Sequence, residues 1–246
     1  MNLTNNTILI TGGGSGIGLA IAKALSPDNT IIIVGRTKEK LEAAAKDLHN
    51  VHTIQADITN EKDIDRLVEE MKINFGGLNI LINNAGSAYV YNVAKDGDAY
   101  SKAVTEFTTN YFAPIRLSEK FLPLLKQQSE AAIVNVSSIV AFVPGVYLPT
   151  YSDSKAALHS HTQSLRYELA KDTQVKVFEL MPPLVNTDFS VEIGGRENGI
   201  PASDVANDLV KALQEDIYEI RVGNTGVLYD NFFAAAEGAF ATFNKN

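Results

Sequence analysis

The stretch Thr7-Ile8-Leu9-Ile10-Thr11-Gly12-Gly13-Gly14-Ser15-Gly16-Ile17-Gly18-Leu19-Ala20-Ile21-Ala22-Lys23-Ala24-Leu25 joins three patterns in succession. Thr7–Ile10 is a β-branched apolar run and reads as a strand, whereas Gly16–Leu25 has the apolar periodicity of a helix. A glycine cluster lies directly between them. Glycine also serves tight turns and helix C-caps, so a cluster alone says little. Between a first strand and a first helix it lets the backbone turn sharply and approach a pyrophosphate. The helix N-terminus then offers free N–H groups and a positive dipole end to that anion. This opening unit predicts a dinucleotide site.

The same alternation continues along the chain. Thr30–Val34, Val51–Ala56, Leu78–Ile82, Ala131–Val136, Val175–Leu180 and Tyr218–Val222 read as further strands. Lys38–His49, Lys62–Phe75, Ala99–Lys126, Tyr151–Ala170 and Pro201–Gln214 read as the helices between them. The strands are apolar on consecutive positions, as a parallel sheet covered by helices on both faces requires. We expect an α/β fold, a Rossmann-type doubly wound parallel sheet of about seven strands. No repeat, low-complexity stretch or linker interrupts the 246 residues, so residues 1–246 are expected to form one domain. Ser87–Gly97 and Thr187–Gly199 are weakly periodic and too long for ordinary connections. They read either as lids and binding loops or as plain surface excursions.

Composition narrows the chemistry. With no cysteine, disulfides, thiolate metal sites and cysteine nucleophiles are excluded. The four histidines form no His-Glu-x-x-His pattern. His159 and His161 point roughly 200° from each other on a helix, so no metal site is expected. Lys+Arg number 21 against 29 Asp+Glu, a net charge of −8, and no basic cluster offers itself to a nucleic acid. No apolar run approaches the roughly 18 residues of a membrane span. Met1–Asn6 lacks the basic and apolar regions of a signal peptide. The expectation is a cytoplasmic protein with neither nucleic-acid nor membrane partners.

The glycine spacing is Gly-x-x-x-Gly-x-Gly, on Gly12, Gly16 and Gly18. Asn83-Asn84-Ala85-Gly86 follows the fourth strand, Ser138 the fifth, and Tyr151-x-x-x-Lys155 comes thereafter. In these four motifs, their order and their spacing, from about Thr7 to Val222, the chain resembles the short-chain dehydrogenase/reductase family. The resemblance implies a nicotinamide cofactor bound through Gly12, Ser15, Gly16, Ile17 and Gly18. It implies that Asp57 faces the adenine amino group with Ile58 near the ring. Asn83, Ala85 and Gly86 would pass beneath the cofactor and steady the sheet. Asp57 has an alternative role as a helix cap, although Thr59 and Asn60 are better placed for it. At the end of the second strand, Gly35-Arg36-Thr37 stands where an acidic residue would accept the adenosine ribose hydroxyls. A guanidinium grips a 2′-phosphate through paired hydrogen bonds. Arg36 therefore points to NADP(H), with NAD(H) the alternative if Arg36 is only a solvated charge. Ser15 is not basic, so the second cation of some NADP-dependent members is missing.

Tyr151 and Lys155, four residues apart, share one helix face. A tyrosine pKa near 10 must fall towards 7 for acid/base work, about 4 kcal/mol of preferential phenolate stabilisation. A nearby ammonium and the positive ring of an oxidised nicotinamide are the obvious sources. By resemblance Tyr151 protonates a carbonyl oxygen, or takes the hydroxyl proton in reverse, while Ser138 orients that oxygen. Lys155 lowers the tyrosine pKa and holds the nicotinamide ribose. Ser137 is the neighbouring alternative for the serine role. Asn110, inside the long helix, matches the family's fourth catalytic member, which supports a water near Lys155; an Asn inside a helix can equally be solvated.

Met181-Pro182-Pro183-Leu184-Val185-Asn186-Thr187 follows the sixth strand. The family usually carries Pro-Gly here, so Pro183 is a departure that fixes φ and removes an N–H. The resemblance places Pro182 in the cofactor site, with the Val185 backbone and Thr187 side chain facing the carboxamide. The Pro-Pro-Leu-Val-Asn-Thr run, Gly194-Gly195 and Tyr218–Gly223 resemble a bacterial subgroup labelled as oxidoreductases of teichoic-acid D-alanylation operons. Tyr89, Tyr91, Tyr147 and Leu148 either line a substrate site or pack. Phe232, Phe233, Phe240 and Phe243 cover a core, meet another subunit or close a pocket. The expectation is an NADP(H)-preferring carbonyl reductase or alcohol dehydrogenase for a small or medium-sized, largely apolar ketone, aldehyde or alcohol. Family resemblance adds a homodimer or homotetramer. The competing class is a nucleotide-binding sensor without turnover, which would have no use for Ser138, Tyr151 and Lys155.

Overall fold

The computed structural model describes residues 1–235. Its strands are β1 (Thr7–Thr11), β2 (Thr30–Gly35), β3 (Val51–Gln55), β4 (Ile80–Asn83), β5 (Ala131–Val136), β6 (Val175–Met181), β7 (Val185–Asn186), β8 (Ile200–Pro201) and β9 (Glu219–Arg221). Helices α1 (Gly16–Leu25), α2 (Lys38–Ala45), α3 (Glu61–Phe75), α4 (Ala99–Phe107), α5 (Ala113–Leu125), α6 (Pro149–Asp172), α7 (Gly195–Asn198), α8 (Ala202–Glu215) and α9 (Thr225–Ala234) alternate with them.

Seven strands form one parallel sheet in the order β3-β2-β1-β4-β5-β6-β9. Side chains alternate across a strand, so a run that is apolar at every position buries both faces. In β1, Ile8 and Ile10 enter the core on one side and Leu9 the core on the other. β2 divides likewise, Ile31 and Ile33 against Ile32 and Val34. Ile21 of α1 and Leu209 of α8 cover the first face; Leu67 of α3 and Phe121 of α5 cover the second. The chain is thus doubly wound, as expected. Between β1 and β4 the strand order reverses, and a crevice opens there beyond the carboxyl ends of the strands.

Three expected elements differ. Helix α2 stops at Ala45 rather than His49: the Leu48 N–H turns back to the Ala45 carbonyl, and Asn50 takes a left-handed φ of 55° into β3. The long helix Ala99–Lys126 is interrupted by a π-turn at Thr108–Phe112, in which the Ala113 N–H reaches back to the Thr108 carbonyl. Pro114 has no N–H to return to the carbonyl of Asn110 four residues earlier, so one bond of the regular α-helical ladder is missing beside the π-turn. Thr187–Gly199 is not a structureless lid. It folds into a 3₁₀ turn at Asp188–Ile193 and α7, and β7 pairs with β8 beside it. Ser87–Gly97, by contrast, contains no helix or strand. Phe240 and Phe243 lie outside the described residues.

Candidate active site

A cleft of about 830 Å³ opens at the reversal point. Its floor at one end is the glycine turn. Thr11 fixes this turn: its hydroxyl donates to the Ile82 carbonyl at 3.3 Å and accepts the N–H groups of Asn84 and Ala85 at 3.0 and 3.1 Å. Asn84 returns its amide to the carbonyls of Thr11 and Gly12 at 2.9 and 3.4 Å. Gly12 and Gly16 adopt left-handed φ values of 66° and 53°. A Cβ on Gly18 would stand 2.5 Å from both the Gly12 carbonyl oxygen and the Asn84 amide, so only glycine lets α1 start this close to the turn.

The start of α1 has no side-chain cap from Ser15 and no acidic residue in its first turn. Its first N–H groups and positive dipole end are therefore unopposed where Ser15, Gly16 and Ile17 line the cleft. This cradle fits a dinucleotide pyrophosphate. Arg36 lines the cleft beyond the end of β2, exposed, and Lys40 of α2 lines the same end. Asp57 and Ile58 also line it. The Asp57 carboxylate accepts from the Thr59 N–H and hydroxyl at 2.9 and 2.7 Å, whereas Asn60 caps α3 through the Lys62 N–H at 2.9 Å. Capping thus falls to Asn60, not Asp57. Ala85 and Gly86 line the cleft, whereas Gly18 and Asn83 are buried and do not. Asn83 donates to Asn135 of β5 at 2.8 Å and to Ser118 of α5 at 3.4 Å, tying neighbouring strands and the covering helix.

At the other end of the cleft, Ser138 follows β5 while Tyr151 and Lys155 stand one turn apart on α6. The Ser138 hydroxyl hydrogen-bonds the Tyr151 phenol, which favours the phenolate. Burial outweighs it and raises the Tyr151 pKa, with the negative charge of Glu106 pushing the same way. Lys155 Nζ lies 5.6 Å from the centre of the Tyr151 ring and donates to the Val136 carbonyl at 2.7 Å. Burial lowers its pKa to about 8, against the opposing charge of Glu179. Asn110 is fully buried in the π-turn, which excludes a solvated role. Its carboxamide accepts the Ser87 N–H at 2.8 Å and donates to the Ser87 carbonyl at 2.8 Å and to Ser154 at 3.0 Å.

Ser137 turns away from this cluster. Its hydroxyl donates to the fully buried Glu179 of β6, which also meets His159 Nδ1 at 2.9 Å. His159 is therefore a carboxylate partner, and half-buried His161 packs edge-on against Tyr111. Among the described residues no group of three His, Asp or Glu side chains is arranged to hold a metal.

The Pro182 carbonyl accepts the Ile139 N–H at 3.0 Å, which docks the segment after β6 against the segment after β5. The Val185 carbonyl is taken by the Ser190 hydroxyl. Thr187 crosses to the glycine turn, its methyl 3.3 Å from where a Cβ on Gly16 would stand. Pro182, Val185 and Thr187 all line the cleft. Beyond them Phe189 lies 5.9 Å from the Tyr151 ring, and Tyr89 and Tyr147 form part of the wall. Tyr91 and Leu148 are buried instead.

Several of these residues did not stand out in the sequence. Thr11 and Asn84 sit inside motifs recognised for other letters. Glu179 carried a clearer signal, since a carboxylate inside an apolar strand is almost never buried without a partner, whereas Glu106, on the mixed helix α4, carried none.

A family model described as short chain dehydrogenase matches residues 6–198. The chain is 38% identical over 225 residues to a Bacillus subtilis (strain 168) protein named uncharacterized oxidoreductase DltE, covering 89% of each. It is 32% identical over 218 residues to an uncharacterized oxidoreductase of Staphylococcus aureus (strain USA300), covering 87% of this chain and 93% of that one. A short chain dehydrogenase from Burkholderia cenocepacia J2315, solved in complex with NADP, has a TM-score of 0.88 at 26% identity over 100% of both chains. A Burkholderia phymatum short chain dehydrogenase/reductase, solved in complex with NAD, has a TM-score of 0.84 at 22% identity over 89% of each.

Proposed function

The chain belongs to the short-chain dehydrogenase/reductase family, and from that premise we propose that it is an NADP(H)-preferring oxidoreductase interconverting a ketone or aldehyde and the corresponding alcohol. The observation that carries this reading is the cluster of Ser138, Tyr151 and Lys155 in the same cleft as an uncapped helix N-terminus.

A nicotinamide dinucleotide would be held by the backbone of Gly12, Ser15, Gly16 and Ile17, with Gly18 allowing the close approach. Asp57 and Ile58 serve the adenine end, Ala85 and Gly86 the underside, with Asn83 bracing the strand below. Pro182, Val185, Thr187 and Lys155 serve the nicotinamide end. Arg36, joined by Lys40, supplies the positive charge for a 2′-phosphate, so the preference is for NADP(H) over NAD(H). The NADP and NAD of the two Burkholderia structures support a nicotinamide dinucleotide of either kind. When bound, the cofactor supplies or accepts the hydride.

The protein's own residues manage the proton. Ser138 orients the substrate oxygen, and Tyr151 Oη donates a proton to it in reduction or takes one from it in oxidation. The Lys155 ammonium stabilises the phenolate left behind. Asn110 holds the backbone of Ser87 and supports the relay beside Lys155. Tyr89, Tyr147 and Phe189 favour a small or medium-sized, largely apolar substrate.

We assign both binding and catalysis to one domain and a homodimer or homotetramer in solution, which light scattering tests. Among the described residues no helix is long and apolar enough to cross a membrane. Separate titrations with NADPH and NADH, followed by a panel of prochiral ketones with NADPH, test the rest. Tighter NADH binding overturns the cofactor preference. Tight NADPH binding without oxidation across the panel overturns the enzymatic reading in favour of a nucleotide sensor.

A further inference from the structure

We propose that Glu106 is a positioning residue of this site, locking the pocket wall 87–90 to the catalytic helix and acting through its charge on Tyr151. The inference rests on the reading of Tyr151 as the acid/base group.

Glu106 is fully buried on α4, one turn before Asn110. Together the two side chains grip alternate residues of one segment. Asn110 takes both the N–H and the carbonyl of Ser87 at 2.8 Å, and one Glu106 oxygen accepts the Tyr89 N–H at 2.9 Å. The next residue in the alternation, Tyr91, donates its N–H to the Tyr147 carbonyl at 3.1 Å and pairs its hydroxyl with Thr150 at 2.8 Å. The Thr150 hydroxyl in turn donates to the second Glu106 oxygen. One carboxylate therefore joins the wall formed by Ser87 to Val90 to the residue immediately before Tyr151.

Packing alone does not require an ionisable group here. A carboxylate buried without a cationic partner is costly, and burial raises the Glu106 pKa. The charged groups around it give little relief. Lys102, on the same helix, pairs with Asp98 at 2.8 Å and lies over the Tyr91 ring at 4.5 Å. Asp153 of α6 adds a second negative charge. Across the wall stands the Tyr151 phenol, on which a negative Glu106 favours the protonated form. That is the form carbonyl reduction needs. Glu106 thus adds to burial in keeping the resting Tyr151 in the acid form.

Glutamine and alanine separate the two roles. Glu106→Gln keeps an acceptor for the Tyr89 N–H and a partner for Thr150 but removes the charge. With NADP⁺ bound, NMR titration of isotope-labelled tyrosine, assigned by the signal lost in Tyr151→Phe, should show the Tyr151 pKa lowered by on the order of one unit. The pH profile of alcohol oxidation should move to lower pH by the same amount, with KM held within about twofold. Glu106→Ala leaves the Tyr89 N–H without its acceptor, and KM for the best ketone of the panel should rise about tenfold with NADPH affinity unchanged. An unshifted Tyr151 titration in Glu106→Gln overturns the electrostatic role, and an unchanged KM in Glu106→Ala overturns the wall. Because the NMR titration requires no turnover, it judges Glu106 even if Tyr151→Phe remains active and the acid/base reading falls.

Discussion

At the dinucleotide end the cleft is made of backbone: three glycines, an uncapped helix start and carbonyls pinned by Thr11 and Asn84. At the chemical end it is made of side chains from separate elements, and burial moves the pKa values of Tyr151 and Lys155 in opposite directions. On the proposed reading the first end recognises an anion through fixed N–H dipoles, so its residues need only be small. The second must hold a proton on a particular atom, so its residues need particular pKa values and neighbours. A helix on the other face of the sheet makes the contrast sharper. α3 begins with the Asn60 cap and with Glu61 and Asp63 in its first turn, whereas α1 has none of these. α3 satisfies its own N-terminus with a side chain, whereas the N-terminus of α1 opens into the cleft.

The strongest break in this contrast is Tyr151→Phe. It removes the proton at the chemical end, and turnover should fall about a thousandfold or more while NADPH binding stays nearly intact. Substantial residual turnover contradicts the assigned role. Next comes Gly18→Ala, which acts only at the backbone end. Its new Cβ meets the Gly12 carbonyl and the Asn84 amide, and calorimetry should find NADPH binding weakened about tenfold or more. Arg36→Ala should weaken NADPH by about tenfold and leave NADH unchanged, so that the ratio of the two constants isolates the 2′-phosphate. The smallest effect belongs to Asn60→Ala. Denaturant unfolding should show a loss of about 1 kcal/mol, with cofactor affinity and turnover unaltered, because that cap serves α3 alone.

Both ends of the cleft were legible in the sequence, but to different depths. The glycine turn was readable because everything it does is local: Gly12, Gly16 and Gly18 act within one strand–turn–helix unit. Tyr151 and Lys155 were readable for the same reason, being one turn apart on one helix. Asn110 was read within the long helix, with a solvated position left open as the alternative. The π-turn buries it against Ser87 and Ser154, and no periodicity reports that. Ser137 and Ser138 were indistinguishable except by spacing, until β6 brought Glu179 to the first and α6 brought Tyr151 to the second. Glu106 escaped notice because its partners, Tyr89 and Thr150, lie 17 and 44 residues away.

By itself the sequence determined the alternation of strands and helices, the two-sided burial of the sheet, the glycine turn between β1 and α1 and the Tyr–Lys pair. Each follows from side-chain periodicity or from residues within a few positions of one another. Only the tertiary structure decided which buried carboxylate faces which catalytic group, how the segment after β6 folds over the glycine turn, and where the pocket wall is anchored. Those depend on charges and hydrogen bonds between distant segments, whose strength is set by the burial that packing creates.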